Sequence, residues 1–317
     1  MPDTYIPVLR NKQNERDVIQ YFGGFSHFEG SNKNRLSLHP LVEITDDDDL
    51  DNLKPFQDAG ELVLVDLPVY QAERSSDFGD AIESTIEEYG SRRAFYLENA
   101  DRIDLPVVSG YIDETVDYGV HGLLQGALSD TYPAITHRLM VRMTGSLSEE
   151  QRESLRKLAD SLRPSDRVLF DVVDVGYTEE LLADLRFLSE VFTGNERAVL
   201  SIFDPFNDER ENRSPHVADE LGIRGFGDFA INVRYPGGGG RGETVTIRHY
   251  HPNHSFVEEF EGNTYEEASN ELTGWDLWRT THCDYCRDAK RLSKGDPSTW
   301  KRIRMGHYMT SVLRNEI

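Results

Sequence analysis

The chain predicts a single α/β domain, a parallel barrel of (β/α)8 type that carries a C-terminal extension. Three observations support it. Short apolar runs alternate with amphipathic stretches throughout, and alternating strands and helices call for a parallel sheet. The runs are nearly continuous in Val, Ile and Leu, as in strands buried on both faces. Their number, seven plus at least one from 228–250, suits a closed barrel, and 317 residues are enough to build one.

The strand-like runs come in order at 5–10, 39–44, 61–67, 105–112, 137–143, 167–175 and 198–204, followed by the candidates "DFAINVRY" (228–235) and "ETVTIRHY" (243–250). The first contains Pro7, which a strand tolerates where the missing N–H faces no partner. Between the strands, helix starts are legible. Ser148 opens "SEEQRESLRKLADSL", with Gln151 completing a capping box and Leu155, Leu158 and Leu162 forming one stripe. Thr178 precedes a second helix with acids in its first turn, and 77–100 predicts another helical region. The acidic stretch 45–52 reads as a solvated connection with capping acids, and the glycine-rich 235–243 as a turn between the last two strand candidates rather than a phosphate loop. On this pattern the barrel takes up about 1–260 and an Arg-rich extension 261–317.

Composition bounds function. The formal net charge is −23, and seven lysines stand against twenty-seven arginines. Dispersed carboxylates with few lysines suit a protein kept soluble in concentrated salt, so a halophilic, cytoplasmic protein is expected. No basic and apolar leader pattern opens the chain, and no apolar run approaches a membrane span. Two cysteines argue against a disulfide scaffold. An acidic surface repels nucleic acid, except at the C-terminal end.

Several strands finish in charge, and one face of each must enter the barrel. Arg10, Glu43, Asp66, Arg142 and Asp171, with Asp228, are therefore the candidate catalytic residues, at the rim where such barrels place their active sites. Paired acids there can act as general acid and base or hold Mg²⁺, and arginines can neutralise a phosphate. Buried ion pairs explain the same pattern without catalysis.

The extension differs in composition. From Arg279 to Ile317, nine Lys or Arg stand against four acids. A contact for nucleic acid or another acidic partner would use Tyr285, Trp300 and Tyr308 for stacking; the favoured reading is that the segment folds back on the protein's own acidic surface. "HCDYC" places His282, Cys283 and Cys286 within one turn, and His251, His254 or His307 could complete four donors for Zn²⁺. Because a second C-x2-C is missing, the expectation is two reduced, partly buried cysteines, with Trp300 anchoring the segment by packing.

"YIPVLRNKQNE", "PLVEI" some thirty residues later, "GFGDFA" and the terminal "W-x6-H" of "WKRIRMGHY" together resemble the protein beta family, named for a T-even bacteriophage protein. The resemblance runs in order from Tyr5 to His307. It implies a single barrel-type domain and a place in the phage-linked or mobile gene pool, without a reaction. Arg10, Lys12, Glu43, Gly227, Asp228, Trp300 and His307 match its motifs, which adds Lys12, Trp300 and His307 as binding candidates; Tyr308 stands where a second terminal histidine is often found. Two functions follow as expectations. One is a barrel hydrolase acting on a phosphate ester, nucleotide or nucleic acid. The other is a non-catalytic protein that recruits a partner through its basic segment.

Overall fold

A computed structural model describes residues 2–314, apart from 24–35, 60–61, 70–75, 113–118, 143–145, 174–175, 202–210, 232–243, 252–255 and 293–294. The chain forms a closed parallel barrel. Strands β1 (Thr4–Arg10), β2 (Ser37–Leu38), β3 (Leu41–Glu43), β4 (Leu64–Asp66), β5 (Leu105–Tyr111), β6 (Thr136–Arg142), β7 (Arg167–Val173), β8 (Glu196–Ser201) and β9 (Gly225–Asp228) follow one another in the sheet, and β9 closes on β1. β2 and β3 are one barrel strand broken at His39–Pro40, because both keep the same register against β1, Tyr5 opposite Leu38 and Val8 opposite Leu41. That register sets Pro7 opposite Pro40, so the two residues without an N–H share the break in the ladder.

Helices α1 (Gln13–Gly23), α2 (Lys54–Ala59), α3 (Ser76–Tyr89), α4 (Arg92–Glu98), α5 (Gly119–Leu128), α6 (Glu149–Ser161), α7 (Glu179–Val191) and α8 (Ser214–Glu220) fill the connections. The predicted capping box of α6 is complete, with Ser148 and Gln151 each bonded to the other's backbone, and Thr178 caps α7. The helical region at 77–100 is two helices, because Ser91 caps α4 by accepting from the Ala94 amide.

Side chains alternate between two apolar layers. Ile6, Val8, Leu41, Leu64, Val107, Leu169 and Leu200 fill the barrel, while Tyr5, Leu9, Val42, Val65, Leu139, Phe170 and Val199 face the helices. The interior is therefore a packed core, as barrel interiors are.

The eighth strand differs from expectation. The barrel is closed by the four residues "GFGD" at 225–228, so of the candidate 228–235 Asp228 alone lies in the closing strand, while 232–235 and the glycine-rich 235–243 lie outside the described residues. Glycine is required at 227, since a Cβ there would collide with the Ile6 carbonyl oxygen of the neighbouring strand. The "ETVTIRHY" run becomes β10 (Val245–His251), paired antiparallel with β11 (Phe256–Gly262), and α9 (Tyr265–Gly274), α10 (Asp284–Arg291) and α11 (Pro297–Leu313) follow. Ile247, Phe260, Leu272, Trp278, Tyr285, Trp300 and Ile303 give this extension an apolar core of its own. Among the described residues, no helix is long and apolar enough to cross a membrane.

Candidate functional site

At the C-terminal ends of the strands the barrel's apolar filling gives way to a charged layer. Register makes Arg10 the neighbour of Glu43, and Glu43 the neighbour of Asp66. Each shares the inward parity of an interior residue: Val8, Leu41 and Leu64. Arg10 Nε lies 3.8 Å from Glu43 Oε2.

The residue that organises the layer is Arg138, in the middle of β6. Its Nη1 donates to Glu43 Oε1 at 2.9 Å and to Asp66 Oδ2 at 2.8 Å, and its Nε donates to Asp171 Oδ2 at 2.7 Å. All four side chains are fully buried. Asp66 also accepts from the Ser109 hydroxyl at 3.0 Å and lies 3.6 Å from Arg92 Nη2. Arg92 enters from the start of α4 and is held by the Leu67 and Ser109 carbonyls.

Three carboxylates thus meet three guanidiniums, which is how charge survives so far from water. Burial pushes Asp66 up, Arg138 and Arg92 pull it back, and the net direction is upward. The Arg138 guanidinium sits among these acids as their counter-charge, the ion-paired arrangement that the sequence leaves open beside an acid–base or Mg²⁺ role.

Other candidates fall elsewhere. Arg142 ends β6, but its side chain lies outside the described residues, as does His254. Asp228 is not part of the charged layer. It faces the helices, where it accepts from Tyr5 at 3.0 Å, Asn212 at 2.9 Å, Tyr308 at 2.6 Å and the Ala230 amide at 2.7 Å. Burial raises it despite those four donors. Saturated in this way, Asp228 ties α11 to the barrel and is a structural rather than a catalytic carboxylate.

Lys12 is exposed just past β1, 5.3 Å from the Phe78 ring centre, with Arg10 5.7 Å from the same ring. Partial desolvation, then Lys301 and Arg10, lower it from the ordinary lysine value. Trp300 and His307 are buried, at 4% and 1% exposure, as are Tyr285 and Tyr308, so none of these rings offers a free face for stacking a base. The extension packs on its own protein: Lys301 pairs with buried Glu15 at 2.8 Å, and Glu15 in turn accepts from the Arg10 amide.

At the C-terminal turn both cysteines are free and buried, and Trp300 packs in the extension's core, as the sequence leads one to expect. Cys283 Sγ and Cys286 Sγ are 3.5 Å apart, and His307 Nδ1 is 3.5 Å from the first and 3.3 Å from the second. With His282 they bring four donor atoms within 4.8 Å of one another. Cys283 caps α10, accepting from the Cys286 amide. α10 and α11 come close because position 306 is glycine: a Cβ there would run into the Tyr285 ring.

No family model and no curated protein matches the chain. Among solved structures it is similar to a tryptophan synthase alpha-subunit mutant from the hyperthermophile Pyrococcus furiosus, at 11% identity and a TM-score of 0.45, covering 73% of this chain and 89% of that one. It is also similar to an O-GlcNAc hydrolase mutant from Thermobaculum terrenum, at 9% identity and a TM-score of 0.41, covering 72% and 54%. FabK from Thermotoga maritima aligns at 10% identity and a TM-score of 0.38, covering 100% and 96%.

Proposed function

We propose that the chain is a barrel enzyme of hydrolase type that acts on a small anionic substrate, a phosphate ester or nucleotide, at the C-terminal mouth of the barrel. One observation carries the reading: among the described residues the apolar filling gives way, towards the C-terminal ends of the strands, to the Arg10–Glu43–Asp66–Arg138–Asp171 layer, on the side where barrels of this kind do chemistry. Arg10 and Lys12, gathered with Lys301 in a chain of net charge −23, form a cationic edge suited to a phosphate. Glu43 and Asp66 lie beneath that edge, buried and ion-paired, and Glu43 holds Arg10 at 3.8 Å. Arg138 and Arg92 are positioning residues that hold Glu43 and Asp66 in place. The resemblance to the protein beta family adds a place in the phage-linked gene pool and leaves the reaction to the site.

Calorimetric titration with inorganic phosphate, beside turnover assays on phosphomonoesters and nucleotides, tests the proposal. Phosphate should bind the wild type and bind Lys12→Gln and Arg10→Gln at least about tenfold more weakly, the loss of one charge-assisted contact. Absence of both phosphate binding and turnover, with salt-sensitive binding of nucleic acid that is lost on removing the exposed Lys290 and Arg291 of α10, would replace it with the recruiting protein.

A further inference from the structure

We infer that His282, Cys283, Cys286 and His307 bind one Zn²⁺ ion, which staples the C-terminal helices to the barrel. Among the described residues this is the one group of three or more His, Cys, Asp or Glu side chains whose donor atoms gather at metal-binding distances. Two sulfurs and two imidazole nitrogens are the donor set of tetrahedral structural zinc. Zinc about 2.3 Å from sulfur and about 2.0 Å from nitrogen, in tetrahedral geometry, sets the two sulfurs about 3.8 Å apart and each sulfur about 3.5 Å from a nitrogen. The protein already holds the sulfurs at 3.5 Å and His307 Nδ1 at 3.5 and 3.3 Å from them.

A two-iron cluster with the same donors would seat its cysteine pair and its histidine pair on different irons. Here His307 Nδ1 is as close to each sulfur as the sulfurs are to each other, which fits a single ion.

The surroundings prepare the donors. His307 Nε2 lies 2.7 Å from the Tyr250 carbonyl oxygen. A carbonyl only accepts, so the proton sits on Nε2 and Nδ1 presents its lone pair to the sulfurs, the tautomer a metal ligand needs. The His249 ring stacks on His307 at 4.1 Å and keeps it from turning. The Cys286 amide points at Cys283 Sγ, an N–H to sulfur contact that stabilises a thiolate. Three of the four donors are buried, Cys283, Cys286 and His307, with His282 at the edge as a path for entry. Binding would release the thiol protons to solvent and hold the ion by two thiolates and two neutral rings, a neutral centre suited to burial.

The staple has two ends in the barrel. His307 lies on α11 beside Tyr308, whose hydroxyl donates to Asp228 at the end of β9, and two turns after Lys301, which reaches Glu15 at the start of α1. On the other side Tyr21 of α1 donates to Asp284 at 2.5 Å, next to Cys283. Metal loss would therefore loosen α10 and α11 from α1, β9 and the rim that carries Arg10.

The test uses the full chain purified under reducing conditions without added metal. Elemental analysis should find one zinc ion per chain; a strong chelator should remove it and lower the melting temperature, and Zn²⁺ should restore both. Cys283→Ser/Cys286→Ser should retain no zinc, whereas Arg10→Gln should keep its full complement, so failure of the barrel proposal leaves this one standing. Should the double variant not fold, Co²⁺ added to the chelated wild type gives an independent readout: a thiolate-to-cobalt charge-transfer band with ligand-field absorption of tetrahedral strength. Folded protein with substoichiometric zinc and a melting temperature indifferent to chelator, or a cobalt spectrum without the thiolate band, would overturn the inference.

Discussion

The charged layer in the barrel and the His–Cys cluster in the extension are both buried polar groups in apolar surroundings, and they resolve burial in opposite ways. In the barrel the acids surround a cation that the chain itself supplies, Arg138, with Arg10 and Arg92 beside them. In the extension two sulfurs and two imidazole nitrogens converge on a point that fits an ion rather than a side chain. A set of carboxylates is thus not evidence of a metal until the nearest guanidinium has been located, whereas converging soft donors fixed by outer hydrogen bonds are. For the acids the sequence leaves ion pairing, acid–base work and Mg²⁺ open alike, and for the cysteines it leads one to expect a buried, packed pair.

The comparison can be broken most forcefully at Arg138. Arg138→Met leaves Glu43, Asp66 and Asp171 buried without their shared cation, and should cost about 3–5 kcal/mol in denaturant unfolding. Zinc content should stay at the wild-type level; zinc lost together with the arginine would mean the two regions are not independent.

A third buried polar pair sharpens the contrast, because it holds histidines without metal geometry. His121 Nδ1 is 3.3 Å from His137 Nδ1, and His137 Nε2 donates to Gln125 Oε1 at 2.9 Å. Burial lowers His121 to about 4 and His137 to about 3 from an ordinary 6.5. Since the folded values lie below the unfolded one, the unfolded chain takes up protons first as pH falls. Stability contributed by the neutral pair is complete above pH 6.5 and is lost as pH drops from there towards 4 and 3. Unfolding free energy should fall by on the order of 3 kcal/mol between pH 7 and 5, and His137→Gln should flatten much of that slope. An unchanged slope in the variant would assign the acid sensitivity to other groups.

Gly306→Ala probes the extension without touching a ligand. Its methyl group must push the Tyr285 ring aside, separating α10 from α11, so a loss of about 2 kcal/mol should come with weaker zinc retention against a competing chelator. Destabilisation with unaltered retention would uncouple helix packing from the metal site. The smallest effect is expected at Tyr308→Phe, which removes one of four hydrogen bonds to Asp228 and should cost about 1.5 kcal/mol with zinc unchanged.

Much of the barrel was legible because seven strands are continuous runs of branched apolar residues that only a doubly buried strand accommodates. The eighth was not. "GFGD" has no run to read, and its glycines are there for close approach to β1, a tertiary demand with no local signature. The opposite error befell "ETVTIRHY", since β-character does not say which sheet a strand joins. Within the site, strand ends gave Arg10, Glu43, Asp66 and Asp171 but not Arg138, which sits mid-strand. Its inward parity with Thr136, and the need of three inward acids for a counter-charge, was the signal available. Arg92 comes from a helix and had none. Asp228 fits the rule that strand-terminal acids mark the rim, yet faces outward because the inward position beside it is Gly227. At the extension the C-x2-C spacing was visible, but only the fold could choose His307 from three histidines, through the helix that carries it back past Cys283.

Zinc K-edge absorption on the purified wild type measures the contrast most directly, because it reports which of the two regions holds the ion. A first shell of two sulfurs at about 2.3 Å and two nitrogens at about 2.0 Å is the expected result, with no sulfur remaining in any zinc bound by Cys283→Ser/Cys286→Ser. A shell of oxygen and nitrogen alone would put the metal among carboxylates and contradict the assignment of Arg138 as their cation.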